Sequence, residues 1–435
     1  MNGLYWIHGY MNVEKEIRAG KRYLKNLGPG ITTGAADDDP SGIATYSQSG
    51  AQFGFQFLFT SLITFPLMAV VQEMCARIGL ATGEGLAANI RRHYPAWILY
   101  LCAGLLFTVN SFNIGADLGM MAEATRLVLP GISFWLLVGG FAAVSLLLQI
   151  FTSYGQYAKY LKYLTLFLLA YVATAFLVSI DWRSALFHTF IPTFHFTKDE
   201  LFILAAILGT TISPYLFFWQ TSQEVEEEIL RGKRTLQERR SAVSPRSLSR
   251  MRIDVWSGMF FSNIVMFFIM AVTAATLGGR DLFPIETAAD AAEALRPLAG
   301  DAAYLLFALG IIGTGMLAVP ILAGSASYAI SESFRLKEGL YRTFKQAHAF
   351  YGIIIASVAV GFVTSFIGID PVRALLYAAI GNALIAPVIL FLILRLSGNT
   401  KVMGAHANAP LARVVGWGTA LLMTVVSVAT VISFF

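Results

Sequence analysis

The sequence predicts an all-α membrane protein of about eleven transmembrane helices, on three observations. Of 435 residues, 56% are hydrophobic and only 13% are charged, against about 25% charged in a typical soluble domain. The apolar residues form runs long enough to cross a bilayer as helix, which takes roughly 20 residues. The basic residues gather in alternate connections between those runs, as cytoplasmic loops do.

The spans follow in order. Apolar runs cover about 29–53, 55–80, 96–126, 131–152, 159–180, 199–222, 254–277, 302–331, 348–367, 371–396 and 411–434. Arg91 and Arg92 follow the second run, Lys159 and Lys162 the fourth, and Arg335, Lys337, Arg342 and Lys345 the eighth. The sixth is followed by Arg231, Lys233, Arg234, Arg239, Arg240, Arg246, Arg250 and Arg252, and the tenth by Arg395, Lys401 and Arg413. The opposite connection at 278–301 is acidic, with Asp281, Glu286, Asp290, Glu293 and Asp301 against Arg280 and Arg296. This alternation predicts a cytoplasmic N-terminus and an external C-terminus.

Residues 1–27 lack an apolar core and carry Lys15, Arg18, Lys21, Arg22 and Lys25, so they read as a cytoplasmic amphipathic segment rather than a cleaved signal. Residues 28–435 read as a single transport domain. The net charge of +5 is accounted for by topology and gives no indication of nucleic acid. Cys75 and Cys102 lie in or beside apolar runs and form neither a disulfide framework nor a zinc motif. The stretch 223–252, acidic at Glu224, Glu226, Glu227 and Glu228 and then basic, reads as a solvated helix extension and loop.

Two of the helices should be broken. The first carries Asp37, Asp38, Asp39, Pro40, Ser41 and Gly42 at its middle. Each carboxylate facing lipid would cost roughly 2.5–3.5 kcal/mol even on insertion scales. Irregular backbone at that depth is tolerated only where protein or a water-filled cavity surrounds it. Freed carbonyls and a carboxylate make a ligand set for a hard cation. The sixth helix is interrupted in the same manner by Gly209, Thr210, Thr211, Ser213 and Pro214. Helices one and six are five apart. That spacing fits two inverted five-helix repeats, about 28–180 and 199–396, followed by an extra helix at about 411–434, with a substrate site between the broken members.

Other intramembrane polar residues are weaker signals. Asn110, Asn113 and Asp117 share one face of the third helix and should line the interior. Glu73 and Arg77 read as a local ion pair, Glu123 as interfacial, and Asn263 and Asn382 as packing groups. All six histidines fall in tails, loops or helix ends, which argues against a histidine proton relay across the bilayer.

These residues resemble the natural resistance-associated macrophage protein (Nramp) family of divalent-metal transporters. The family's opening pattern is similar to Gly28-Pro29-Gly30, Asp39-Pro40-Ser41-Gly42 and Gly50-Ala51-Gln52-Phe53-Gly54. Its second-helix pattern resembles Ala76-Arg77-Ile78-Gly79, Thr82-Gly83 and Leu86, followed by Tyr94-Pro95. The third-helix acid matches Asp117, and the sixth-helix Met-Pro-His stands here as Ser213-Pro214-Tyr215. The resemblance implies a LeuT-like fold and a metal site at Asp39, Gly42, Thr210 and Ser213. Asp38, Ser41 and Thr211 stand beside it, with Asp117 and Tyr215 at longer range.

This chain departs from the family pattern where the metal is held. The family's Asn is Gly42, its Met is Ser213, its His is Tyr215, and an acid one turn after Asp117 is Met120. A thioether favours soft cations, so its loss favours an oxygen site for Mg²⁺ and also Mn²⁺. Loss of the His and the acid implies weak or absent proton coupling. The chain thus resembles the divergent Nramp-related branch that includes magnesium transporters. Asp37 and Asp38 are extra acids that would cap the first half-helix, face the vestibule or hold water around the ion.

The expected activity is uptake of a divalent metal ion by alternating access. The alternative is a sodium- or proton-coupled organic-solute symporter of the same fold. Enzymatic function is not expected, since HExxH, serine–histidine and nucleotide-loop signatures are all missing from the sequence. The metal would be substrate, with no cofactor. The expected setting is the inner membrane of a bacterium, as a monomer in lipid.

Overall fold

The computed structural model describes residues 28–152, 165–278 and 285–433. Segment 1–27, Lys159 and Lys162, and the acidic-loop residues Arg280 and Asp281 lie outside the described residues.

The chain begins with a broken helix. α1 (Pro29–Asp37) and α2 (Pro40–Phe53) are separated at Asp38–Asp39. α3 (Phe59–Thr82), the short α4 (Leu86–His93), α5 (Ala96–Val128) and α6 (Phe134–Phe151) follow. Of the fifth expected span, a 3₁₀ turn at Thr165–Leu168 and α7 (Leu169–Ala175) are described. After α8 (Trp182–Phe190) comes the second broken helix, α9 (Lys198–Thr211) and α10 (Pro214–Leu230). The second half continues through α11 (Leu236–Ser241), α12 (Pro245–Thr276), α13 (Ala288–Glu293), α14 (Arg296–Ala299), α15 (Ala303–Phe334), α16 (His348–Thr364), α17 (Pro371–Ser397), α18 (Thr400–Met403) and α19 (Pro410–Ser433). Among the described residues no strand is present. Nine helical stretches among the described residues are long and apolar enough to cross a membrane, with α9 and α10 counted as one. The interrupted α1–α2 pair and the described part of the fifth expected span stand beside them.

Packing around the broken helices depends on glycine. α1 runs along α12 with Gly30 and Gly34 at the contact. A Cβ on Gly30 would lie 2.6 Å from the Val255 nitrogen, and one on Gly34 would run into the Gly258 backbone. Gly209 of α9 lies against the Ala379 carbonyl of α17 in the same way. Small residues let helix backbones approach closely where lipid supplies no hydrophobic drive for association.

The approach of α12 also anchors the start of α1. Helix N-termini leave backbone N–H groups without intrahelical partners. Here the Asp254 carboxylate of α12 accepts from Gly28 and Gly30 at 2.7 Å each and from Ile31 at 3.3 Å. A negative charge is favoured at that end of the helix dipole.

Three expectations need correction. The acidic run at the end of the sixth helix is not a solvated extension: Glu224, Glu226 and Glu228 are buried. Glu226 accepts from the Tyr328 hydroxyl and from the Leu340 nitrogen at 2.5 Å, because the loop after α15 folds back over it. Glu224 accepts from Gln220 at 2.9 Å, and Glu228 pairs with Arg231 at 2.8 Å and with Lys233. Second, the seventh span begins at Pro245, so Arg246, Arg250 and Arg252 occupy its first turns rather than a loop. Third, Asn110 does not join an interior stripe with Asn113 and Asp117. It donates to the Leu322 carbonyl and the Ser325 hydroxyl of α15, both at 2.9 Å.

The Glu73–Arg77 pair is present at 2.9 Å and extends further. Arg252 and the Trp256 indole also donate to Glu73, at 3.0 and 2.8 Å.

Candidate functional site

Each break follows from a proline. Proline has no N–H, so the carbonyl four residues earlier loses its helical partner. Pro40 frees the Ala36 carbonyl and Pro214 frees that of Thr210. Unpaired carbonyls away from water are costly and must find donors. The Tyr215 hydroxyl donates to the Ala36 carbonyl at 3.0 Å. The Ser213 hydroxyl donates to the Gly209 and Thr210 carbonyls at 2.6 and 2.8 Å. Each opened helix end is therefore lined by the hydroxyl and carbonyl oxygens of a few residues.

Asp39 sits between the two ends. Its extended backbone (φ −67°, ψ 173°) makes it the N-cap of α2. Oδ1 accepts from the Ser41 hydroxyl at 2.5 Å and from the Gly42 nitrogen at 2.9 Å. The Ser41 and Thr210 hydroxyl oxygens lie 3.1 Å apart, which links the two broken helices directly. On the other side the Asn113 amide reaches Asp39 Oδ2 at 3.3 Å and Asp117 Oδ2 at 3.1 Å. Asp39 is 1% exposed and Asp117 fully buried.

The remaining residues singled out in the sequence are placed as follows. Gly42 offers its N–H, and a Cβ there would crowd the Asp37 carbonyl and the Tyr46 ring. Thr211 turns back on its own helix, to the Ile207 carbonyl at 2.8 Å. Asp37 and Asp38 turn toward α12, where the Ser262 hydroxyl reaches Asp37 at 2.7 Å and Asp38 at 3.2 Å. Asp37 Oδ1, Asp117 Oδ1 and Asn113 Oδ1 are buried without a hydrogen-bond partner among the described residues. Sequence reasoning missed Ser262 as an Asp37 and Asp38 partner, and it treated Asn113 as one of a stripe rather than as the bridge between two acids. A lone serine in an apolar helix carries no signal of its own. Asn113 was findable from its spacing of four to Asp117.

None of Asp37, Asp38, Asp39 and Asp117 pairs with a lysine, arginine or histidine among the described residues. Nor do three His, Cys, Asp or Glu side chains there converge as a metal cluster. A cation held between the half-helices would thus draw on one carboxylate and several neutral oxygens.

A separate cavity of about 390 Å³ lies beneath α10 and α15, with Arg91, Glu226, Tyr328, Glu332 and Glu338 in its wall, and Asp39 is not among its lining residues. Burial pushes the Glu338 carboxyl up to about 9, the neighbouring Glu332 raises it too, and Arg91 opposes the rise.

Two helices opened opposite one another around a buried carboxylate define a membrane carrier of the broken-helix type. A family model described as natural resistance-associated macrophage protein-like matches residues 30–433. The chain belongs to this family, whose members are transporters rather than enzymes. It is 27% identical over 414 residues to a divalent metal cation transporter MntH of Klebsiella pneumoniae (strain 342), covering 92% of each chain. A protein of the same description from Caldanaerobacter subterraneus is 26% identical over 406 residues, covering 91% of this chain and 90% of that one. Among solved structures, the Eremococcus coleocola manganese transporter in complex with an aromatic bis-isothiourea compound superposes with TM-score 0.71 at 19% identity, over 95% of this chain and 87% of that one. Mhp1, a nucleobase-cation-symport-1 transporter, shares the fold at TM-score 0.56 and 14% identity, over 94% and 91% of the two chains.

Proposed function

We propose that this protein takes up a divalent metal ion by alternating access, with Asp39 as the central ligand. The observation that carries the proposal is the position of that carboxylate. It is buried where two helical ladders are open, and it has only uncharged hydrogen-bond partners. Buried acids without basic partners are strongly disfavoured as free anions. A divalent cation, brought with part of its water shell, compensates them. The relatives' description as divalent metal cation transporters, and the manganese transporter among the structural neighbours, support the substrate class.

The ligand chemistry favours hard cations. Ser41, Thr210 and Ser213 offer hydroxyls, and the Ala36 and Thr210 carbonyls are released from the helical ladder by the prolines. No thioether or imidazole belongs to this set. Mg²⁺ and Mn²⁺ suit oxygen ligands supplemented by water. With Tyr215 and Met120 at the positions discussed above, proton coupling is weak or absent. The membrane potential then supplies about 2.3 kcal/mol per charge per 100 mV, or roughly 4.6 kcal/mol for a divalent ion. The setting is a bacterial inner membrane with the N-terminus in the cytoplasm.

Parallel flux of Mg²⁺, Mn²⁺ and Ca²⁺ into proteoliposomes with a trapped pH reporter tests this reading. Mg²⁺ and Mn²⁺ should enter without internal acidification. Stoichiometric proton entry, or flux of Mn²⁺ with no competition from Mg²⁺, overturns it.

A further inference from the structure

We propose that a groove at the membrane interface, between α4, the end of α17 and the start of α19, is a binding site for the headgroup of an anionic phospholipid. The groove has a volume of about 500 Å³ and is lined by His93, Tyr94, Arg395, Asn399, Arg413 and Trp417 among others. No acidic side chain lines it. Among the described residues neither Arg395 nor Arg413 makes an ion pair with a carboxylate. Several arginines on this side do have acidic partners: Arg77 and Arg252 pair with Glu73, Arg92 with Glu84, and Arg231 with Glu227 and Glu228.

The two arginines are not equivalent in their local setting. Arg395 lies in the last turn of α17, where the helix dipole favours a cation. Arg413 lies in the first turn of α19, at the end where the dipole disfavours one. Two guanidinium groups facing one groove also repel each other. Among the described residues no carboxylate of the groove offers the compensating charge, so an external anion fits the electrostatics.

The surroundings select a lipid as the source of that anion. Phe391 (47% exposed), Leu411 (76%), Val414 (69%) and Leu421 (65%) present bare apolar surface beside the groove, suited to acyl chains. Trp417 packs edge-on against Phe391, with centroids 5.6 Å apart, and places an aromatic ring at the boundary. Aromatic and basic residues together at the end of a span are the usual anchors at headgroup level, and basic pockets between helix ends recruit anionic headgroups.

The test uses the full-length protein in detergent. Native mass spectrometry and thermal melts are recorded with phosphatidylglycerol, phosphatidylcholine or inorganic phosphate added. Wild type should retain and be stabilised by phosphatidylglycerol in preference to the other two. The R413Q variant should weaken its retention about fivefold and R395Q/R413Q about thirtyfold, at the usual contribution of one basic residue near an anionic lipid surface. Arg413→Gln alone keeps the test readable should the double variant fail to fold, because its exposed side chain makes no hydrogen bond among the described residues. Restored retention in R395K/R413K would support a charge-based site. Equal retention of phosphatidylglycerol by wild type and R413Q overturns the proposal. So does equal stabilisation by phosphatidylcholine, and so does equal stabilisation by phosphate, which would indicate a site for free phosphate instead.

Discussion

Replacing Asp254 isolates the interaction that holds the first half-helix in place. At the start of α1 the amides of Gly28, Gly30 and Ile31 have no intrahelical acceptor, and all three use the Asp254 carboxylate, two of them at 2.7 Å. Asp254→Asn keeps Oδ1 for Gly28 and Ile31 but turns an amide NH₂ toward the buried Gly30 N–H. One bond to a charged acceptor is lost and one donor is stranded, a cost of about 2 kcal/mol. Asp254→Ala removes all three acceptor contacts and the charge at the helix N-terminus. Allowing for water reaching the half-buried Gly28 amide, its cost is about 4 kcal/mol. Local opening of α1 should then rise roughly thirtyfold in the first variant and roughly a thousandfold in the second. Hydrogen–deuterium exchange of a peptide spanning 28–36 reads this directly, with a peptide from α9 as the internal reference. Unchanged protection of 28–36 in Asp254→Ala would refute the anchoring argument, since among the described residues no other carboxylate hydrogen-bonds those three amides.

Two further predictions concern packing and pH. Gly209→Ala places a methyl against the Ala379 carbonyl and 2.8 Å from the Ala383 nitrogen, an overpacking cost of about 1–3 kcal/mol. Its melting midpoint should fall well below wild type, whereas Gly104→Ala, with open space around the new Cβ, should not fall; equal midpoints for the two would contradict the close α9–α17 contact. Glu338 is pushed up to about 9 by burial and then by Glu332, so the folded state holds a proton that the unfolded state releases near its ordinary value of about 4.3. Its contribution to stability is therefore fully present below about pH 4, declines as pH rises through the window up to about 9 and then levels off. Thermal melts from pH 5 to 9 should show this decline in wild type and a shallower one in Glu338→Gln, and parallel profiles would contradict it.

Much of the fold was legible because bilayer crossing constrains sequence so strongly. Expected spans at 96–126 and 371–396 stand at Ala96–Val128 and Pro371–Ser397. The two breaks were legible for the same reason: Pro40 and Pro214 interrupt apolar helices beside residues that lipid would reject. What the linear pattern could not carry was partnership across long separations. Asp254 caps a helix more than two hundred positions earlier, and Ser262 meets Asp37 and Asp38 at a similar remove. Glu226 of α10 was misread because the loop after α15, which has no periodic signal, folds over it. Asn110 shares a face with Asn113 by spacing, yet long helices pack against several neighbours, and its end of the face meets α15.

The most direct measurement is divalent-metal uptake by Asp39→Ala beside wild type, at matched reconstitution and with the fold verified by a thermal melt. Removing the carboxylate that caps the second half-helix between the two opened ends should abolish Mg²⁺ and Mn²⁺ flux while leaving the protein folded. A folded Asp39→Ala protein that carries either ion at the wild-type rate would contradict the account.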